Sequence, residues 1–176
     1  MFKKAKIKKN IGIVFWIEGF SGSGKSTLSK LIFKFINKKF GPTIILSGDV
    51  LRKFFDKKGY SKKDRINNSI KFSQILKYIT DQKINVIYSV VGLNHEARRI
   101  YKKNIKNFFV IHLKSDVHKI IKLKKKMKVY KKKKNILGID IKPEFPQNPH
   151  VTIENNFNNS LNNVSMDLIE KINKIV

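Results

Sequence analysis

The chain has 176 residues with 41% hydrophobic content, enough to bury the core of one domain, and it contains no cysteine, which excludes disulfides, cysteine-ligated metals and thiol nucleophiles. Its 39 lysines and arginines against 12 carboxylates give a formal charge of +27, a balance that would suit a polyanion. Only Arg52, Arg65, Arg98 and Arg99 are arginines, however, and the lysines are spread over the whole length. That distribution reads as compositional drift, with no specific nucleic-acid partner, and it makes each arginine a marker of a place where a planar, bidentate donor is needed.

Residues 1–10 are a basic extension. The apolar run Ile11-Gly12-Ile13-Val14-Phe15-Trp16-Ile17 that follows is too short to span a bilayer and carries no signal-peptide pattern, so a cytoplasmic chain without a membrane partner is expected. The run predicts a strand. It leads into Gly19-Phe20-Ser21-Gly22-Ser23-Gly24-Lys25-Ser26-Thr27, which fits G-x-x-x-x-G-K-[ST], and then into the helical pattern Leu28 to Ile36. In a strand–loop–helix setting, glycines let backbone N–H groups close around a phosphate chain, and the helix N-terminus adds its positive dipole end. Gly19 to Thr27 are therefore expected to bind ATP, with Lys25 at the β- and γ-phosphates as a catalytic cation and Ser26 as a ligand of Mg²⁺.

Farther on, Gly41-Pro42 breaks the first helix and Thr43-Ile44-Ile45-Leu46 predicts a short strand, followed by Ser47-Gly48-Asp49-Val50-Leu51-Arg52. Asp49 just past a strand's C-terminal end would lie in the crevice where open α/β sheets bind ligands, near Mg²⁺ or a substrate hydroxyl, with Arg52 toward an anionic group. Asp49 could equally cap the helix that begins there. Gly59-Tyr60-Ser61 opens the next helix, with Ser61 as N-cap and Asp64 three residues on. Apolar positions from Ile66 to Ile79 predict about four turns, with Arg65 and Asn68 on one face. Strands are expected at Lys83–Val91 and Asn107–Leu113, with the polar stretch Gly92 to Arg99 between them turning into a helix. His112 reads as a core or sheet-end histidine. Residues of about 118–148 include the lysine run Lys122 to Lys134 and a Pro-punctuated loop through Glu144 and Pro149, and are expected to form lid and substrate loops. His150-Val151-Thr152-Ile153-Glu154 predicts a last strand, and 164–176 a closing helix. The alternation implies one P-loop-type α/β domain over 1–176: a three-layer sandwich with a parallel sheet and helices on both faces.

The order of these features resembles the adenylylsulfate kinase family from about Ile13 to Glu154. The resemblance rests on the phosphate loop, on Ser47 to Arg52 against D-G-D-N-V-R, and on Gly59-Tyr60-Ser61 with Asp64-Arg65 and Asn68 against G-F-S-x-x-D-R-x-E-N. It rests also on Val129-Tyr130-Lys131-Lys132 with Gly138-Ile139-Asp140 against L-Y-K-K and G-I-D. It implies a kinase that moves the γ-phosphate of ATP to the 3′-hydroxyl of adenosine 5′-phosphosulfate, with Asp49 near the metal and the acceptor hydroxyl. Arg52, Arg65 and Asn68 would hold the phosphosulfate, Tyr60 would stack on the base, and Ile136 would stand where a second stacking aromatic is usual. It also suggests a homodimer.

The phosphate-donor half of the pattern is intact and the acceptor half departs from it. Ser47 replaces the first Asp, Val50 the Asn and Asn67 the Glu, and Val91-Gly92-Leu93-Asn94 replaces I-S-P-Y. Cytidine diphosphoramidate kinases are similar in the same places, including a polar N-H-E-like stretch after the third strand, and offer an alternative acceptor. A non-catalytic nucleotide- or nucleic-acid-binding protein is the alternative of another class.

Overall fold

The computed structural model describes residues 7–56, 59–123 and 134–176. Strands β1 (Val14–Glu18), β2 (Thr43–Ser47), β3 (Asn85–Val90), β4 (Phe108–Lys114) and β5 (Val151–Glu154) form one parallel sheet in the order β2-β3-β1-β4-β5. Helices α1 (Lys25–Phe40), α2 (Gly48–Phe54), α3 (Lys62–Asp81), α4 (His95–Asn104), α5 (Val117–Leu123) and α6 (Leu161–Ile175) connect or flank them. The central strand alternates its side chains between two cores. Phe15 and Ile17 pack with Leu28, Ile32 and Ile36 of α1 and Leu168 and Ile172 of α6. Val14 and Trp16 pack on the opposite face with Phe72 and Leu76 of α3 and Tyr101 of α4. Because β1 is covered on both faces, its sequence is apolar at successive positions instead of alternating with polar residues.

β1 has β3 on one side and β4 on the other, so successive crossovers leave β1 in opposite directions and a crevice opens at the strands' C-terminal ends. A third, smaller cluster of Phe20, Leu93, Ile120 and Leu137 lies beneath that end.

Three local expectations are corrected. Asp49 does not cap α2: the cap is Ser47, whose hydroxyl accepts the Val50 N–H at 3.2 Å, and Asp49 sits in the first turn. α3 starts after Ser61 as expected but runs 20 residues, longer than the four turns of the apolar pattern, because it includes the polar first turn before Ile66 and continues through Thr80, whose hydroxyl donates to the Leu76 carbonyl. α6 begins at Leu161, since Ser160 caps it ahead of the periodic residues. The Val129 to Lys132 motif and most of the lysine run fall outside the described residues. Among the described residues, no helix is long and apolar enough to cross a membrane.

Candidate active site

The phosphate loop is built at the end of β1. Gly22 and Gly24 adopt φ of 77° and 99°, a region that costs a side chain but not glycine. A Cβ at Gly19 would come within 2.6 Å of the Leu113 carbonyl, so the loop passes β4 too closely for any other residue. Asn155, buried after β5, donates from Nδ2 to the Ser23 carbonyl at 2.9 Å and pins the loop from the far side. Helix α1 then opens on Gly24 with no side-chain cap and no acidic residue in its first turn. By contrast α2, α3, α4 and α6 are each capped by Ser47, Ser61, Asn94 and Ser160. The first N–H groups of α1 are thus left for an anion, which the dipole favours.

Lys25 is buried, and its Nζ donates to the Phe20 carbonyl at 2.6 Å. Burial lowers its pKa to about 8, against the opposing pull of the Asp49 charge. The Asp49 carboxylate therefore acts electrostatically on Lys25 from the first turn of α2. Ser26 and Asp49 are both exposed, and no cluster of three or more His, Cys, Asp or Glu occurs among the described residues. That donor set suits Mg²⁺, which takes few protein ligands and completes its octahedron with phosphate oxygens and water.

Across the crevice the structure brings Arg52, Tyr60 and Arg65 together. The Arg52 guanidinium lies 4.6 Å from the centre of the Tyr60 ring and that of Arg65 5.9 Å from it. Arg52 Nη1 donates to the Gly59 carbonyl at 2.6 Å, and Arg65 donates to the carbonyls of Tyr60 and Asn135 at 3.0 and 3.2 Å. Burial, and then the charge of Arg52, lowers the pKa of Arg65. Two cations held this close are a place for an anion. A capping box fixes them: Ser61 Oγ accepts the Asp64 N–H at 3.1 Å while Asp64 accepts the Ser61 N–H at 3.0 Å.

Arg65 lines a cavity of about 170 Å³ with Lys62, Asn94, Leu137 and Glu144. Asn68 does not join it. It is buried one turn farther along α3 and lines a separate recess with Gly59, Asn67 and Lys71, so the expected shared face is divided between two recesses. Ile136 is 7% exposed, its N–H held by the Asp140 carboxylate, and therefore belongs to the floor of this region more than to an open stacking face. Gly92 stands where it does because a Cβ there would come within 2.3 Å of the Trp16 indole.

Several residues of this region were not anticipated. Glu18, the last residue of β1, is fully buried against Arg98 at 3.0 Å, and Glu144 accepts the His95 N–H at 2.7 Å and the Lys62 ammonium at 3.1 Å. Glu18 has its pKa raised to about 6 by burial, opposed by the charge of Arg98. The sparing use of arginine was the one signal that pointed toward Arg98; nothing local marked Glu18, Glu144 or Asn155.

A parallel sheet with an uncapped glycine loop at the end of its central strand, and a buried lysine beneath it, defines a P-loop kinase. The model of the adenylylsulphate kinase family matches residues 11–154, and the chain belongs to that family. It is 27% identical over 168 residues to the cytidine diphosphoramidate kinase of Campylobacter jejuni, covering 93% of this chain and 98% of that one. It is 30% identical over 158 residues to the adenylyl-sulfate kinase of Clostridium acetobutylicum, covering 86% and 78%. The fold also superposes on the Mycobacterium tuberculosis APS kinase solved with AMPPNP and APS, with a TM-score of 0.78 and 23% identity over 93% of this chain and 98% of that one. The protein is accordingly an ATP-dependent phosphotransferase.

Proposed function

We propose that the enzyme transfers the γ-phosphate of Mg·ATP to a ribose hydroxyl of a 5′-substituted nucleotide, and that the nucleotide is cytidine diphosphoramidate. The observations that support the kinase reading are the uncapped α1 terminus with its buried Lys25, and the Arg52 and Arg65 guanidiniums gathered around Tyr60. The loop N–H groups and Lys25 hold the β- and γ-phosphates and meet the charge that spreads over the transferring group. Ser26 and Asp49 would hold Mg²⁺, which neutralises phosphate charge when bound. Arg52 and Arg65 hold the acceptor's anionic 5′ group, and Asp49 accepts the proton of the attacking hydroxyl.

The choice of acceptor rests on the altered half of the site. The near full-length similarity to a cytidine diphosphoramidate kinase coincides with a wall built from Asn94, His95 and Glu144 after β3. Arg52 already covers Tyr60 at 4.6 Å and Ile136 is buried, which leaves less stacking area than a purine would use and suits a smaller base. Adenosine 5′-phosphosulfate is the second reading, favoured by the family model and by the retained Asp49, Arg52 and Arg65. Incubating the protein with γ-labelled ATP and each nucleotide separately decides between them. Labelled cytidine product with little labelled adenosine product is expected. The reverse would select the second reading, and label in neither would overturn both.

A further inference from the structure

Arg98 lies in the first turn of α4, with a side chain 11% exposed, against the fully buried carboxylate of Glu18. Its Nη1 donates to Glu18 Oε2 and Oε1 at 3.0 and 3.3 Å and to the Gly92 carbonyl at 2.9 Å. Its Nη2 reaches His95 Nδ1 at 2.9 Å and donates to the Glu144 carbonyl at 2.5 Å. One planar group thus joins three segments that are far apart in the chain: the end of β1, the turn after β3 and the Pro-punctuated loop.

Both ends of this connection touch the proposed chemistry. Glu18 is followed directly by Gly19 of the phosphate loop and is in register with Val90 of β3 and His112 of β4. Glu144 bonds through its amide to the Leu93 carbonyl at 3.0 Å, and through its carboxylate to His95 and to Lys62, which opens α3 three residues before Arg65. Leu93, Asn94, Glu144 and Lys62 line the same cavity as Arg65.

Burying a carboxylate and a guanidinium costs desolvation that their attraction only roughly repays, so the pair is a weak source of stability and its content is geometric. We infer that Arg98 is a positioning residue for the acceptor: through Glu18 and Glu144 it fixes the wall formed by Leu93, Asn94 and Glu144 to the strand end that carries the phosphate loop. The acceptor hydroxyl and the phosphoryl group are then held in one frame, and small displacements in that frame are costly to turnover. This rests on the acceptor site proposed above.

Arg98→Lys keeps the charge but replaces a fork by a single point that cannot serve Glu18 and Glu144 together. With whichever nucleotide the wild type phosphorylates, the acceptor KM should rise on the order of tenfold while the ATP KM stays within about twofold. Hydrogen exchange should speed up at the amides of 93–95 and 144 and stay unchanged in α1. Glu18→Gln, which keeps the shape and removes the charge, should show the same pattern to a smaller degree, and serves if the lysine variant does not fold. Equal rises in both KM values, or unchanged exchange at 93–95 and 144, would overturn the inference. If the wild type phosphorylates neither nucleotide, the acceptor reading fails and the exchange pattern alone decides the positioning role.

Discussion

The imidazole of His112 is 10% exposed in its side chain and sits 3.8 Å from Glu18, a distance that suggests an ion pair. It is not one at neutral pH. Burial first, and then the charges of Arg98 and Lys114, lower the pKa of His112 to about 4, so the ring is neutral beside Glu18. Its folded value lies below the usual 6.5, so the stability it contributes is present above 6.5 and lost as the pH falls toward 4. Glu18 works the other way: its value is raised from 4.5 to about 6, so its contribution is full below 4.5 and is lost as the pH rises through 6. The two contributions therefore oppose each other between pH 6.5 and 4, and removing the imidazole should leave the Glu18 effect without its counterweight. Urea unfolding across that range should show a shallower acid loss for His112→Gln than for the wild type. Parallel slopes would contradict the assignment. The sequence reading of His112 as a core or sheet-end histidine agrees with its buried position within β4. Its partners could not be read, since Glu18 and Arg98 are 80 positions apart and meet only after β1 and α4 have packed.

At the scale of elements, what was legible followed from contiguous patterns. The glycine loop, the strand before it and the helix after it were readable because one short segment carries the whole phosphate site. The capping of α3 was also readable, Ser61 and Asp64 being three apart. That cap also sets the position of Arg65, because α3 begins at Lys62 and its first turn carries Arg65 to the cavity proposed for the acceptor. Ser61→Ala should cost about 1 kcal/mol of stability, the usual loss for an N-cap hydroxyl. It should also raise the acceptor KM and leave that of ATP alone, since α1 is pinned independently by Asn155. Thermal unfolding and steady-state kinetics on the same variant check both halves, and an effect on ATP alone would refute the link. Less legible were elements whose limits are set by polar caps, as at α2 and α6, and side chains whose direction depends on how a helix sits on the sheet. Asn68 is the example: helical spacing puts it beside Arg65, but packing turns it into another recess.

For the molecule as a whole, the parallel order β2-β3-β1-β4-β5 puts the phosphate loop that follows β1 and the helix carrying Arg52 that follows β2 at the C-terminal ends of the strands. The charge of +27 adds a general attraction for anionic ligands that salt screens, whereas in the proposed reading the discrimination between donor and acceptor comes from Lys25 and from Arg52 with Arg65. The account stands on phosphoryl transfer at the uncapped terminus of α1. The most direct measurement is transfer of labelled γ-phosphate from Mg·ATP to the acceptor by Lys25→Ala beside the wild type, with a circular dichroism spectrum of each. The account predicts a variant that is folded and has lost transfer by a factor on the order of a hundred or more, the scale of removing one preorganised charge donor from a developing oxyanion. A folded variant that transfers phosphate at the wild-type rate would contradict it.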